Sequence, residues 1–359
     1  MNSKTRRFLM NVAGMLVVLS FLGVPMAAFA DTEWPGFATP VFGLAASPDG
    51  NLYAADAGAG IVRLQVGEGG LAGRIFAELP GVTDIAPIGS KEMFAITGGG
   101  DGPTARMLFR VSQGRVRPLA DLGAFEAAVN PDGGEIDSNP YDVARLDGGQ
   151  ALIADAGGND LLIANNEGEV DWIATLPDEL VSTANIKELV GCPTAPDPLA
   201  FICGLPAMMP AQPVATSVAI GPDGAYYVGE LKGFPGPVGV SKIWRIEAGA
   251  RHAVCGSSPM CSVVADGFTS IVDLSFGPDG TLYVTEIDEA SFMAVELIFL
   301  GMPGATVGGT VNACDASFNC SEVATQLPLP IATASTKSGQ LYAAINSLVP
   351  GAAAVIPLP

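Results

Sequence analysis

One pattern recurs six times along the chain, and it constrains the fold more than any other feature. It consists of a short apolar segment, a turn of the Pro-Asp-Gly type and a second segment rich in Leu, Tyr, Val and Ala. The copies align without a gap, and they begin at Phe42, Thr83, Tyr141, Thr216, Val272 and Ile331. Self-similarity at this spacing indicates a repeat architecture.

Each copy predicts a β-hairpin, because Pro presets the turn, Asp bonds its own backbone and Gly accepts a positive φ. Two further strands follow most copies, such as "GIVRLQV" and "GRIFAEL" after the first. Four antiparallel strands in each of six units predict an all-β protein, a six-bladed β-propeller. The last unit lacks an obvious outer strand. We therefore expect the segment "TEWPGFAT" (32–39) to supply it, so that N- and C-terminal strands close the ring.

The first 30 residues predict an export signal. A basic start precedes the apolar run Phe8–Val24 and the small-residue sequence Ala28–Ala30. We expect cleavage after Ala30 and a secreted or periplasmic protein, whose propeller domain spans 31–359 with a loop insertion at about 178–213. An uncleaved anchor and a twin-arginine export route remain alternatives. No second segment is long and apolar enough to span a membrane.

The chain is strongly acidic. Its formal net charge is −20, and loss of residues 1–30, which carry one Lys, two Arg and no acids, gives −23. Such a surface repels nucleic acid and anionic lipid and attracts cations. We therefore expect no nucleic-acid partner, and the expected partner is a small molecule or an extracytoplasmic protein.

Six cysteines occur as three pairs that are close in sequence. For an exported chain with an even count, disulfides are the favoured interpretation, and zinc is the alternative. No CxxC spacing occurs, and His252 is the one histidine of the sequence. The predicted pairs are Cys192 with Cys203, Cys255 with Cys261, and Cys314 with Cys320.

Acidic residues recur at the two ends of the hairpins that lie opposite the turns. These two positions are 13 residues apart in every copy, as for Asp142 and Asp155. We expect both to gather near one mouth of the central channel. The predicted ligand or channel-mouth residues are Asp56, Asp84, Asp142, Asp155, Glu230, Asp273 and Glu286.

Carboxylate oxygens in a ring suit calcium, which takes six to eight oxygen ligands. The predicted metal ligands are Asp142, Asp155, Glu230 and Asp273. The alternative is that each acid accepts hydrogen bonds from nearby loop amides and ends a strand. No catalytic residues are predicted, because a single histidine placed between strands does not support Ser-His-Asp chemistry.

Several stretches resemble the ScyD/ScyE family of secreted bacterial propellers, which is related to NHL-repeat proteins. They are "NPYDVARLDGGQALIADAGGNDLL", "VATSVAIGPDGAYYVGELKGFPGPVG" and "VVADGFTSIVDLSFGPDGTLYVTEI". The resemblance implies a six-bladed, extracytoplasmic propeller without a settled activity. The acidic ring, without an evident nucleophile or histidine base, favours a secreted binding or scaffold protein over an enzyme. The alternative is a calcium-dependent lactonase or esterase, by analogy with the sugar-lactonase architecture.

Overall fold

The computed structural model describes residues 34–67, 70–302 and 305–359, and they form a six-bladed β-propeller. The predicted signal peptide, 1–30, lies outside the described residues. The first blade contains β1 (Val41–Ala46), β2 (Leu52–Asp56), β3 (Gly60–Gly67) and β4 (Gly70–Ala77). The second contains β5 (Val82–Pro87), β6 (Glu92–Thr97), β7 (Met107–Ser112) and β8 (Arg115–Asp121), followed by helix α1 (Leu122–Val129).

The third blade contains β9 (Pro140–Leu146), β10 (Gln150–Asp155), β11 (Asp160–Ala164) and β12 (Val170–Thr175). The segment that follows it contains β13 (Glu179–Ser182), α2 (Ala184–Leu189), a 3-10 turn (Leu199–Gly204) and β14 (Met208–Ala211). Strands β13 and β14 pair with each other, outside the blades.

The fourth blade contains β15 (Ala215–Ile220), β16 (Tyr226–Glu230), β17 (Ser241–Ile246) and β19 (Cys261–Phe268). Between the last two lies β18 (Ala253–Val254), which joins β12 of the third blade in parallel. The fifth blade contains β20 (Ile271–Phe276), β21 (Leu282–Glu286), α3 (Phe292–Phe299), β22 (Gly309–Cys314) and β23 (Cys320–Leu327). The sixth contains β24 (Ala332–Ser335), β25 (Leu341–Ile345) and β26 (Ala354–Pro357).

The first strands of the blades surround the central axis. β1 packs against β5, and the ring continues through β9, β15, β20 and β24 back to β1. Between neighbouring blades lie separate apolar clusters, for example Phe94 and Leu108 against Ile153 and Leu162. Each blade therefore buries its faces against its two neighbours, which a single four-stranded sheet cannot do alone.

The N-terminal segment differs from the expectation. Residues 34–40 form no strand, and among the described residues the sixth sheet has three strands. Pro35 and Pro40 have no N–H to donate to a sheet, and Gly36 has a φ of 101°. Instead, Trp34 lies over Gly73 of the first blade, and β1 closes the ring by packing on β24.

The three predicted disulfides are confirmed. Cys192–Cys203 lies in the segment between β13 and β14, Cys255–Cys261 follows β18, and Cys314–Cys320 joins the β22–β23 hairpin. Within the described part of the chain, no helix has the length and apolar character to cross a membrane.

Candidate functional site

A β-bulge near the open end of five of the inner hairpins separates the two acidic positions. Asp142 pairs with Ala154, and Asp155 pairs with Pro140 on the other side of the bulge. Directly paired residues face the same side of a sheet, and successive residues face opposite sides. Asp155 therefore faces away from Asp142, although both lie at the same end of the hairpin.

Three carboxyl groups of the first strands reach from one blade to the next around the axis. Oδ2 of Asp84 accepts a hydrogen bond from the backbone N–H of Val143 (3.0 Å). Oδ2 of Asp142 accepts the corresponding bond from the fourth blade (2.6 Å). Oδ2 of Asp273 accepts from the backbone N–H (2.7 Å) and hydroxyl (2.8 Å) of Thr333. We call Asp84, Asp142 and Asp273 the channel carboxyls.

Burial raises the pKa of all three channel carboxyls. It raises that of Asp273 to about 7, with a further contribution from the charge of Asp142. The pKa of Asp84 lies well above its usual range through burial and then the charge of the neighbouring Asp142. Burial is also the largest cause of the raised pKa of Asp142. The charged side chains among the main causes of these shifts are other channel carboxyls, and none of those causes is a basic group.

Two hydroxyl groups without hydrogen-bond partners also lie on first strands of the blades, Tyr141 on β9 and Ser217 on β15. Tyr141 is 5% exposed and its hydroxyl has no hydrogen-bond partner, as is also the case for the fully buried Oγ of Ser217. The ring of Tyr141 meets Phe42 of the first blade edge-on, with centroids 6.4 Å apart. Burial, followed by the charges of the three channel carboxyls, raises the pKa of Tyr141. Tyr141 thus lies at the axis, within electrostatic reach of Asp84 and Asp273 of two other blades and in ring contact with Phe42 of a third.

The acid at the end of the second strand of the hairpin accepts hydrogen bonds from loop residues. Asp155 is 1% exposed and accepts four hydrogen bonds. The donors are the hydroxyl of Ser138 (2.6 Å) and the backbone N–H groups of Asn139 (2.6 Å), Gly157 (3.0 Å) and Gly158 (3.1 Å). The Asp155 carboxylate thereby links the residues that precede β9 to the turn between β10 and β11.

Asp56 and Glu286 make the equivalent contacts in the first and fifth blades. Asp56 accepts from the hydroxyl of Thr39 and from two turn amides at 3.0 Å each. Glu286 accepts from the backbone N–H of Thr269 and from Nδ2 of Asn312 (2.6 Å). Glu286 also lines a cavity of about 510 Å³ between the fourth and fifth blades, away from the axis.

Glu230 is held in a buried ion pair. Its Oε2 lies 2.6 Å from Nζ of Lys232, and both side chains are fully buried. The indole N–H of Trp244 donates to Oε1 of Glu230, and Lys232 also pairs with Glu179 at 2.9 Å. Burial raises the pKa of Glu230, and Lys232 and Trp244 partly offset that effect.

The structure therefore divides the seven predicted channel-mouth residues. Asp84, Asp142 and Asp273 face the axis, Asp56, Asp155 and Glu286 cap loops, and Glu230 pairs with a lysine. Of the four predicted metal ligands, Asp142 and Asp273 lie within electrostatic reach of each other, whereas Asp155 caps a loop and Glu230 forms an ion pair. Within residues 34–67, 70–302 and 305–359, no group of three or more Asp, Glu, His or Cys side chains is arranged to hold a metal.

His252 lies at the outer edge of the third blade. It is stacked on Trp172 with centroids 4.6 Å apart, and it lies 2.7 Å from Asp171. Its side chain is 55% exposed. His252 therefore contacts the outer strand of the third blade, where Trp172 and Asp171 lie.

The sequence analysis did not identify Tyr141 and Ser217 as site residues. Both stand in the aligned repeat: Tyr141 directly precedes Asp142, and Ser217 occupies the position that is Asp in three other copies. Gly43 occupies that position in the first blade, where an added Cβ would lie 2.1 Å from Oδ1 of Asp84. The available signal was the polar character of the Ser217 position in most copies of the repeat.

No protein-family model and no curated protein matches this sequence. Solved structures do resemble the fold. A gluconolactonase from Xanthomonas campestris is 12% identical, covers 90% of this chain and 87% of its own, and has a TM-score of 0.52. The calcium-binding protein regucalcin from Agrobacterium tumefaciens is 12% identical, with coverages of 86% and 83% and a TM-score of 0.50.

A protein of unknown function from Bacteroides thetaiotaomicron is also similar. It is 10% identical, covers 89% of this chain and 70% of its own, and has a TM-score of 0.53. At such low identities the similarity extends to the fold alone. The chain is a six-bladed β-propeller, like these proteins.

Proposed function

We propose that this protein is an extracytoplasmic binding propeller of the ScyD/ScyE type that holds a positively charged small molecule at its channel carboxyls. The observation that carries this proposal is the group Asp84, Asp142 and Asp273, whose strongest charged neighbours are one another. Carboxyl groups whose main charged neighbours are other carboxyls favour a positively charged ligand, because its charge would compensate theirs.

The surroundings of the carboxyls suit an organic cation. Asp142 and Asp273 are partly exposed, so that a ligand can reach them. Tyr141 and Phe42 supply aromatic rings at the same end of the channel, and aromatic faces attract ammonium groups. The buried hydroxyl of Tyr141 lacks a partner and can bond to a polar group of the ligand.

The extracytoplasmic location draws on two observations. The N-terminal sequence has the pattern of an export signal, and all six cysteines form disulfides, which persist in oxidising compartments. The ScyD/ScyE assignment draws on the repeat segments around Asp142, Glu230 and Asp273.

Binding of choline to the mature protein tests this proposal, with its neutral carbon isostere as the matched probe. We expect calorimetry to detect binding of choline to the protein and no binding of the isostere. Asp142→Asn combined with Asp273→Asn should weaken binding at least tenfold, or about 1.4 kcal/mol. Asparagine keeps the acceptor oxygen for the next blade and removes the charge.

Asp147→Asn provides the control, because Asp147 lies in the exposed turn of the same hairpin as Asp142. Its affinity for choline should equal that of the unmodified protein. Equal binding of choline and the isostere, or unchanged affinity in the double variant, would contradict a charge-based site.

A hydrolase of lactones or esters is the second candidate. The pKa of Asp273, about 7, allows this carboxyl to gain or lose a proton near neutral pH, as a general acid or base must. Screening lactones and aryl esters with the unmodified protein and with Asp273→Asn tests this candidate. Turnover that Asp273→Asn abolishes would support it, and turnover that survives would exclude Asp273 as the base.

The channel residues do not fit a calcium-dependent form of this hydrolase. Carboxylate oxygens are the ligands that calcium takes, but Asp84 and Asp142 each accept a hydrogen bond from a backbone N–H of the next blade. The four predicted ligands are also divided between the axis, a loop cap and a buried ion pair. Running the ester screen with calcium and with a chelator shows directly whether turnover needs the ion.

A further inference from the structure

A second acidic cluster lies away from the axis, between α1 and the start of β11. Asp160 is the first residue of β11 and is 1% exposed, and neither of its carboxyl oxygens has a hydrogen-bond partner. Glu126 of α1 is 3% exposed, and its Oε1 also lacks a partner. Buried polar atoms of folded proteins are nearly always bonded, so three such oxygens call for a missing partner such as water or an ion.

The charges around Asp160 have the same sign. The side chains that influence it most are Asp155, Glu126 and Asp132, and each of them is acidic. Burial and these neighbours raise the pKa of Asp160 well above its usual range. An ionised carboxylate in such surroundings is costly unless a cation accompanies it.

The loop after α1 adds further oxygen atoms. Asn130 follows Glu126 by one helical turn, and its buried Oδ1 has no partner. Asp132 is tied to the β10–β11 turn by a hydrogen bond from Nδ2 of Asn159 (3.1 Å). Carboxylate and amide oxygens are the ligands of hard divalent cations, and calcium accepts them in irregular arrangements.

We propose that Asp160 and Glu126 bind a divalent cation of the calcium type, with Asp132 contributing charge from the adjoining loop. Asp160 and Glu126 would supply two carboxylate ligands, because the described part of the chain has no group of three or more Asp, Glu, His or Cys side chains placed to hold a metal. The ion would join α1 of the second blade to β11 of the third blade. This site is separate from the channel carboxyls and from the proposed ligand of the channel.

Calcium titration of the chelator-treated mature protein tests the proposal. We expect a calorimetric binding isotherm and a rise of several degrees in the melting temperature with calcium. Asp160→Asn should weaken calcium binding at least tenfold and abolish the rise, while the chelator-treated variant melts no lower than the unmodified protein. Glu126→Gln gives the same expected losses and serves if Asp160→Asn does not fold.

Two controls separate this site from the rest of the molecule. Asp147→Asn, in an exposed turn of the third blade, should keep the full response to calcium. The channel variant Asp142→Asn with Asp273→Asn should keep it too, even where choline binding is lost. Absence of calcium binding in the unmodified protein, or an intact response in Asp160→Asn and Glu126→Gln, would overturn the proposal and leave water or protons at these oxygens.

Discussion

Lys232→Met is expected to lower the free energy of unfolding by about 3–5 kcal/mol. The reason is the complete burial of both Lys232 and Glu230, which lie 2.6 Å apart. Removal of the ammonium leaves the Glu230 carboxylate inside the fourth blade with the indole of Trp244 and no cation. Breaking one half of a buried ion pair costs more than the pair itself contributes, because the remaining charge is desolvated.

Chemical denaturation at pH 8 under oxidising conditions measures this effect. Adding Glu230→Gln to Lys232→Met should restore most of the loss, because glutamine still accepts from Trp244 without carrying a charge. Lys242→Met is the matched control: Lys242 also pairs with Glu179, but its side chain is 22% exposed. We expect that variant to cost less than about 1 kcal/mol. Equal losses for the two lysine variants would show that Glu230 is not charged in the folded protein.

The ion pair of Lys232 is a feature that the sequence did not predict. The repeat predicted the blades because its turn chemistry and strand composition are local, and each copy carries the same signals. Nothing local marks Lys232 as buried, since its partner Glu179 is 53 residues away in β13. Lys232 stands only two residues after Glu230 in the sequence, but its burial against Glu230 depends on these distant contacts, and Glu230 therefore read as a site residue.

The 13-residue spacing of the acidic positions predicts at which end of each hairpin they lie. It does not predict which face of the sheet each side chain occupies. A gap of 13 residues places Asp142 and Asp155 at the same end. The bulge between Ala154 and Asp155 sets which residue pairs with Asp142, and hence which face each acid takes. Bulges depend on how neighbouring blades pack. The alternative that acids cap loops describes Asp56, Asp155 and Glu286, whereas Asp160 is influenced by the charge of Glu126 in α1 of another blade.

The free energy of unfolding is expected to fall as the pH rises from 5 to 9. Burial raises the pKa of Glu296 in α3 to about 8, and Glu296 is 3% exposed. Burial, and then the charge of Glu289, raises the pKa of Glu286 to about 7, while the Thr269 N–H and Asn312 act in the opposite direction. Above pH 5 these groups keep their protons in the folded state and lose them in the unfolded state.

The sign of the effect follows from that difference in bound protons. The folded state binds more protons between the unfolded pKa, near 4.5, and the folded pKa, so the stability that is fully present below pH 4.5 is lost by about pH 8 to 9. For Glu296 alone the loss is on the order of 2–5 kcal/mol. Denaturation curves at a series of pH values measure it.

The variant Glu296→Gln isolates the contribution of this glutamate to the pH dependence of stability. We expect the variant to unfold at higher denaturant concentration than the unmodified protein at pH 9, and to show a shallower dependence on pH between 6 and 9. Glu167→Gln, in the exposed β11–β12 turn, should follow the unmodified protein at every pH. If Glu296→Gln keeps the full pH dependence, then helix α3 must admit water to this carboxyl, and the burial that raises its pKa does not persist in solution.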